Sequence, residues 1–274
     1  MLKRYRPFYK ASQMDYLAYK GAIFTWLIVS ILQVACTIFL WFTVYQNAQG
    51  EIIQGFTMKE MIVYQVFINI FTFVTFDGTT SNTIQSEIRD GSIAMSFIKP
   101  ISYRVRFIAT NFGSFSMAIL LFGLPCFTIS YLIFYFIGYI HVASIWMFLL
   151  HLVLFFVAQV LATMLNDCIQ YVFGVLCFYT EASFGLEQIR SVVVSFLSGT
   201  LLPLSFFPSV FSTILNYLPF AGMAQNPILI LLGKYDVVTS LIKIGLSLGW
   251  LMVMEAGAHL LFQHASKKVT VQGG

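Results

Sequence analysis

The residues best placed to do chemistry are ionisable groups embedded in apolar sequence. Asp167 follows Asn166 well inside a nearly continuous apolar run at 143–180. Glu255 lies in a second such run, four residues before His259, so one helical face would carry both. A charged side chain at the centre of a bilayer costs roughly 2.5–3.5 kcal/mol on insertion scales. Residues retained at that cost belong to a proton relay or the polar lining of a substrate path, with Asn69, Asn166, Asp167, Glu255 and His259 as candidates. The same residues could instead be a structural pair, or mark a helix end.

Other chemistry is poorly supported. The only Gly-Lys pair, Gly233–Lys234, lacks the upstream glycine and following hydroxyl of a phosphate-binding loop. No His-Glu-x-x-His occurs, and the four histidines are scattered without carboxylates at metal-ligand spacing. Cys36, Cys126, Cys168 and Cys177 all fall in apolar runs and read as small hydrophobes. The expectation is a chain with no catalytic, cofactor-binding or metal-binding residues, whose energy for any work comes from a partner or an ion gradient.

The polar stretch at 82–100, NTIQSEIRDGSIAMSFIKP, has a different character. Ile84 and Ile88 share one helical face, with Gln85, Glu87, Arg89 and Asp90 on the others. Gly91 is placed to stop that helix, and Ile93 and Ile98 return to an apolar surface. A short amphipathic helix with a charged outer face suits docking on a soluble partner. A merely solvated loop is the alternative.

The elements that must hold these groups follow from composition. Of 274 residues, 59% are hydrophobic and 9% charged. An ordinary soluble domain carries roughly 25% charge, which excludes a cytosolic enzyme. No basic face suits nucleic acid. The net charge of +4 is unevenly spread. Lys3, Arg4, Arg6, Lys10 and Lys20 crowd the start, Arg89, Lys99, Arg104 and Arg106 the central loop, and Lys267 and Lys268 the end. The positive-inside rule puts all three regions, and so both termini, in the cytoplasm.

Residues 1–20 interleave Tyr5, Phe8, Tyr9 and Tyr16 with basic residues, as an interfacial helix does. Spans are expected at 21–45, 58–76, 107–137, once within 143–180, at 191–207 and at 236–262. Gly113, Gly123 and Pro125 are placed to bend the third. The run at 143–180 is too long for one straight span. It is either one long, tilted or broken helix, or two spans folded at Asn166–Asp167, and parity favours one crossing. The link GYIHV at 138–142 lies outside. The segment 203–233 holds Pro203, Pro208, Pro219 and Pro227 around an apolar piece of about ten residues, the length of a re-entrant helix and not of a span. The whole is an all-α polytopic membrane protein forming one transmembrane domain (1–274). It has six helices across the bilayer, an N-terminal interfacial helix and an outer re-entrant hairpin before the last span. GLSLG at Gly245–Gly249 would permit close helix approach.

The stretch EIRDGSIAMSFIKPIS resembles the cytoplasmic signature of bacterial ABC-2-type transporter permeases. FLSGTLLPLSFFP at 196–208, LPF at 218–220, Pro227 and the terminal VTVQGG at 269–274 are similar to further parts of that pattern. The resemblance implies a fold like that of type V exporters and a plasma-membrane subunit that hydrolyses nothing itself. It would pair with a second permease, identical or related, and with separate ABC ATPase subunits that bind ATP and Mg. Glu87, Ile88, Arg89, Asp90 and Gly91 would form the helix coupled to the ATPase, and membrane lipid would surround the rest. The implied role is export of a drug, lipid, peptide or glycan. The contrasting reading of the residues alone is an ion-coupled carrier using Asp167, Glu255 and His259.

Overall fold

The computed structural model describes residues 2–18, 20–48, 50–76, 79–98, 100–140, 144–180 and 183–268. His141, Lys99 and the terminal VTVQGG lie outside the described residues. The helices, in chain order, are α1 (Arg6–Ala18), α2 (Lys20–Gln46), α3 (Met58–Thr75), α4 (Thr79–Arg89), α5 (Ile93–Ile98), α6 (Tyr103–Ala118) and α7 (Leu124–Phe136). There follow α8 (Ile145–Leu176), α9 (Ser183–Leu197), α10 (Ser209–Tyr217), α11 (Pro219–Met223), α12 (Gln225–Leu231) and α13 (Val237–Ala265). A two-stranded antiparallel hairpin, β1 (Ile52–Ile53) and β2 (Phe56–Thr57), pairs Ile53 with Phe56 just before α3.

Apolar composition makes α3 the central helix. From Met61 to Ile68 every residue is buried, as a helix hydrophobic on all sides requires. Phe67 meets Phe127 of α7 at 5.2 Å between ring centres, and Phe71 meets Phe155 of α8 at 4.6 Å. A capping box starts α3: the Thr57 hydroxyl accepts from the Glu60 amide, and the Glu60 carboxylate accepts from the Thr57 amide. The outer faces of α2 and α13 instead expose Phe39, Met252 and Val253, as hydrocarbon requires.

Five helical stretches among the described residues are long and apolar enough to cross a membrane. They are Leu27–Gln46, Met58–Arg89, Tyr103–Phe136, Ile145–Leu176 and Val237–Ala265. The chain is therefore a mainly helical, multi-pass membrane protein. Near the expected sixth span at 191–207, the helix is α9, which ends at Leu197. Its 15 residues reach about 22 Å, short of the ~30 Å of hydrocarbon. Gly199, with φ of +85° and a position where a Cβ would lie 2.9 Å from the Gln225 side chain, turns the chain away.

Within the run at 143–180, Ile145–Leu176 is one unbroken helix of 32 residues, and Asn166–Asp167 do not interrupt it. Its length of about 48 Å exceeds the hydrocarbon thickness by some 18 Å. Residues 103–136 also form one continuous helix, with a widened π turn at Ile119–Gly123 between α6 and α7. Pro125 has no N–H and crowds the preceding carbonyls, and the wider turn absorbs that clash. Gly113 does not break the helix. It is where α1 crosses, since a Cβ there would sit 2.4 Å from the Tyr9 carbonyl oxygen. Polar bonds fix the crossing: Ser12 to Ser114 at 2.6 Å, and the Tyr9 hydroxyl to Ser116 at 3.0 Å.

The segment 203–233 folds into a 3₁₀ turn and the short helices α10, α11 and α12, broken at its prolines. Residues 225–231 are all buried, against α8 and α3. Gln225 organises the segment: its amide N–H donates to the Ser198 carbonyl, and its side-chain oxygen accepts from the Leu204 amide at 2.6 Å.

Candidate functional site: an ion-pair network under the amphipathic helix

The central amphipathic helix is α4, and two of its sides do different work. Thr80, Ser81 and Ile84 are buried against α8, where Ile84 occupies the hollow left by Gly174. A Cβ on Gly174 would lie 2.8 Å from the Ile84 Cδ1 atom. Gly91, with φ of +71°, closes the helix one residue after Asp90, as its position predicts. Beyond it, Ile93 is buried, while Met95 and Ile98 of α5 are exposed.

Two ionic layers tie α4 to three long helices. In the first, Arg106 of α6 reaches both Glu87 oxygens at 2.8 Å. The Tyr103 hydroxyl donates to the same carboxylate at 2.8 Å, and the Arg106 guanidinium stacks on the rings of Tyr103 and Phe107. In the second layer, Arg104 forks between two acids. It donates to Asp167 of α8 at 2.6 Å, and to both oxygens of Glu255 of α13 at 3.0 and 2.5 Å. The Thr80 hydroxyl of α4 donates to the second Asp167 oxygen at 2.6 Å. The Arg104 guanidinium also lies over the Tyr171 ring, 4.7 Å from its centre.

Asp167 is thus buried with both oxygens occupied, which is the condition for keeping a charge out of water. The five charged groups, Glu87, Arg104, Arg106, Asp167 and Glu255, nearly balance. Above them, Asn166 donates to the Thr75 carbonyl at 2.8 Å, and Gln159 donates to the Thr75 hydroxyl. The polar residues of α8 therefore clasp both sides of the break between α3 and α4.

These placements revise several sequence expectations. Asp167 lies within the unbroken α8, nine residues or about 13 Å from its C-terminal end. Glu255 pairs with Arg104 and not with His259, which is exposed and contacts Gln263 at 2.9 Å. Asn69 bonds to the Gln65 carbonyl of its own helix at 2.7 Å and stands apart from the network. A relay through Asp167, Glu255 and His259 is therefore not assembled. Of the coupling residues, Glu87 points inward and Ile88 packs into the cluster around Tyr103 and Phe107. Arg89 and Asp90 face outward, with 79% and 61% of their side chains exposed.

Sequence reasoning missed Arg104, Arg106, Tyr103 and Thr80 as network members. Arg104 and Arg106 entered only as markers of the cytoplasmic side. Their alternation at the very start of an apolar run was the available signal, because an arginine carried into a span needs a carboxylate on a neighbouring helix.

Gly245 and Gly249 meet no neighbour within 4 Å, whereas Ser247 between them is buried against Gly222 of α11. GLSLG also spells the Gly-x-Ser-x-Gly of a nucleophile elbow. Here it lies inside α13, and Ser247 donates to the Lys243 carbonyl, so no elbow exists. No grouping of three or more metal-ligating side chains occurs among the described residues.

No curated protein and no solved structure shows significant similarity to this chain. A family model described as ABC-2 family transporter protein matches residues 31–273, nearly the whole length. The match runs from α2 through α13 and includes both ionic layers. The chain therefore belongs to the ABC-2 family of transporter membrane proteins and is a permease subunit of an ABC transporter.

Proposed function

We propose that this permease works as an exporter subunit in the bacterial plasma membrane, driven by separate ATPase subunits that bind ATP and Mg. A second permease, identical or related, completes the pathway. The substrate is an amphipathic or hydrophobic molecule: a drug, lipid, peptide or glycan. In this reading the segment at 191–207 makes a sixth crossing, with the end of α9 as its helical part. The segment 203–233 dips in from the outer face, α1 lies along the inner leaflet, and both termini are cytoplasmic.

One observation carries the mechanism. The exposed turn Arg89–Asp90–Gly91 sits at the end of a helix whose inner face is pinned to α6 and α8, and through Arg104 to α13. A push on that turn moves Glu87 and Thr80, and through Arg106 and Arg104 it is felt by all three long helices at once. Closure of an ATPase dimer would supply the push, and the Arg104 fork would change partners or tilt with the helices it joins. The contribution of this chain is mechanical, and ATP chemistry takes place elsewhere.

Affinity purification of the tagged chain from its native membrane should recover an ABC ATPase. ATP hydrolysis by that complex in liposomes should drive substrate release. Transport sustained by this chain alone, without an ATPase, would sink the proposal.

A further inference from the structure

At the end of the molecule opposite the ionic network lies a cavity of about 540 Å³ between α3, α7, α8 and the turn after α12. That volume suits one drug-sized or single-chain ligand. Its walls are mostly apolar and aromatic, with Phe67, Tyr131, Met147 and Phe148 among them. Depth follows the helices: Glu60 lies in the first turn of α3, and Phe67, also on the lining, is seven residues further on, about 10 Å deeper.

The rim is polar and carries more positive than negative charge. Lys234 pairs with Glu60 at 2.6 Å. Lys59 is exposed, 5.5 Å from the centre of the Tyr139 ring. Two ammonium groups thus stand beside one carboxylate. Ser144, also on the lining, begins α8. Inside, the Tyr131 hydroxyl is buried and has no hydrogen-bond partner among the described residues. Both ring nitrogens of His151 lie against backbone carbonyls, of Met147 and Tyr235.

We infer that this cavity holds one acyl chain of an anionic membrane phospholipid, with its phosphate at Lys59 and Lys234. The apolar walls between membrane helices select a chain from the surrounding lipid. The surplus ammonium group selects an anionic head. The site lies within a single subunit and does not depend on the ATPase reading.

Native mass spectrometry of the full chain in mild detergent tests this, with phosphatidylglycerol and phosphatidylcholine of matched acyl chains as probes. One phosphatidylglycerol should stay bound per chain, at least tenfold more persistently than phosphatidylcholine. Met147→Trp fills the cavity and Ser144→Trp blocks its rim; either should abolish retention. Lys59→Glu should abolish the preference between headgroups while leaving some lipid bound. Equal retention of the two lipids by the unaltered chain overturns the anionic assignment. Undiminished retention in both tryptophan variants overturns the cavity, and a retained species that is not a phospholipid overturns the choice of occupant.

Discussion

Truncating Arg104 to alanine would leave Asp167 and Glu255 facing each other with no cation between them. Removing one partner of a buried pair typically costs about 3–5 kcal/mol, so the variant should unfold at markedly lower temperature in detergent, read by intrinsic fluorescence. Arg104→Lys keeps the charge but loses the planar fork that serves two acids, and its loss should be intermediate. Asp167→Asn should cost least, because an amide oxygen still accepts from Thr80 and Arg104 keeps Glu255. If the order of the three were reversed, the fork would not be what holds these helices. The acids were legible in the sequence as costly residues in apolar runs. Their partner was not, because an arginine at the border of a polar loop looks like any other positive-inside charge.

At the scale of elements, α4 was the most legible part of the site. The spacing of Ile84 and Ile88 and the stop at Gly91 both follow from local chemistry, and both appear in the structure. Which of its polar residues face inward did not follow, because that depends on Arg106 approaching from another helix. Glu87→Arg should therefore detach α4 and reduce stability, while Glu87→Arg combined with Arg106→Glu should recover much of the loss. A double variant no more stable than the single would mean that Tyr103 and Ile84 hold α4 without the ion pair. The seat of α1 was illegible for a similar reason: Gly113 suggested a bend, yet its missing side chain admits the backbone of α1. Gly113→Val should displace α1 and speed protease cleavage between α1 and α2, with the remaining helices intact. Cleavage at the unaltered rate would show that α1 does not rely on that contact.

For the whole molecule, the long helices decide what a local push can do. α8 and α13 exceed the bilayer thickness by many ångströms, and Asp167 and Glu255 sit nine and ten residues from their C-terminal ends. A lever so placed moves the helices as bodies. The membrane class was legible from scarcity of charge alone. The count of crossings was harder, because α9 falls short of a full span and its limits depend on the turn at Gly199 and on Gln225 from the next segment. Mechanical transmission separates two kinds of variant. Arg89→Glu combined with Asp90→Arg alters only exposed side chains, so thermal stability should stay within about 0.5 kcal/mol of the original. In a complex with its ATPase, the same variant should lose most substrate-stimulated ATP hydrolysis, measured by phosphate release in liposomes. Glu87→Gln should lose coupling and stability together, since Glu87 lies inside the linkage and not on its surface. Full stimulation in the Arg89/Asp90 variant would place the contact with the ATPase somewhere other than this turn, with exposed Met95 and Ile98 of α5 the next surface to alter.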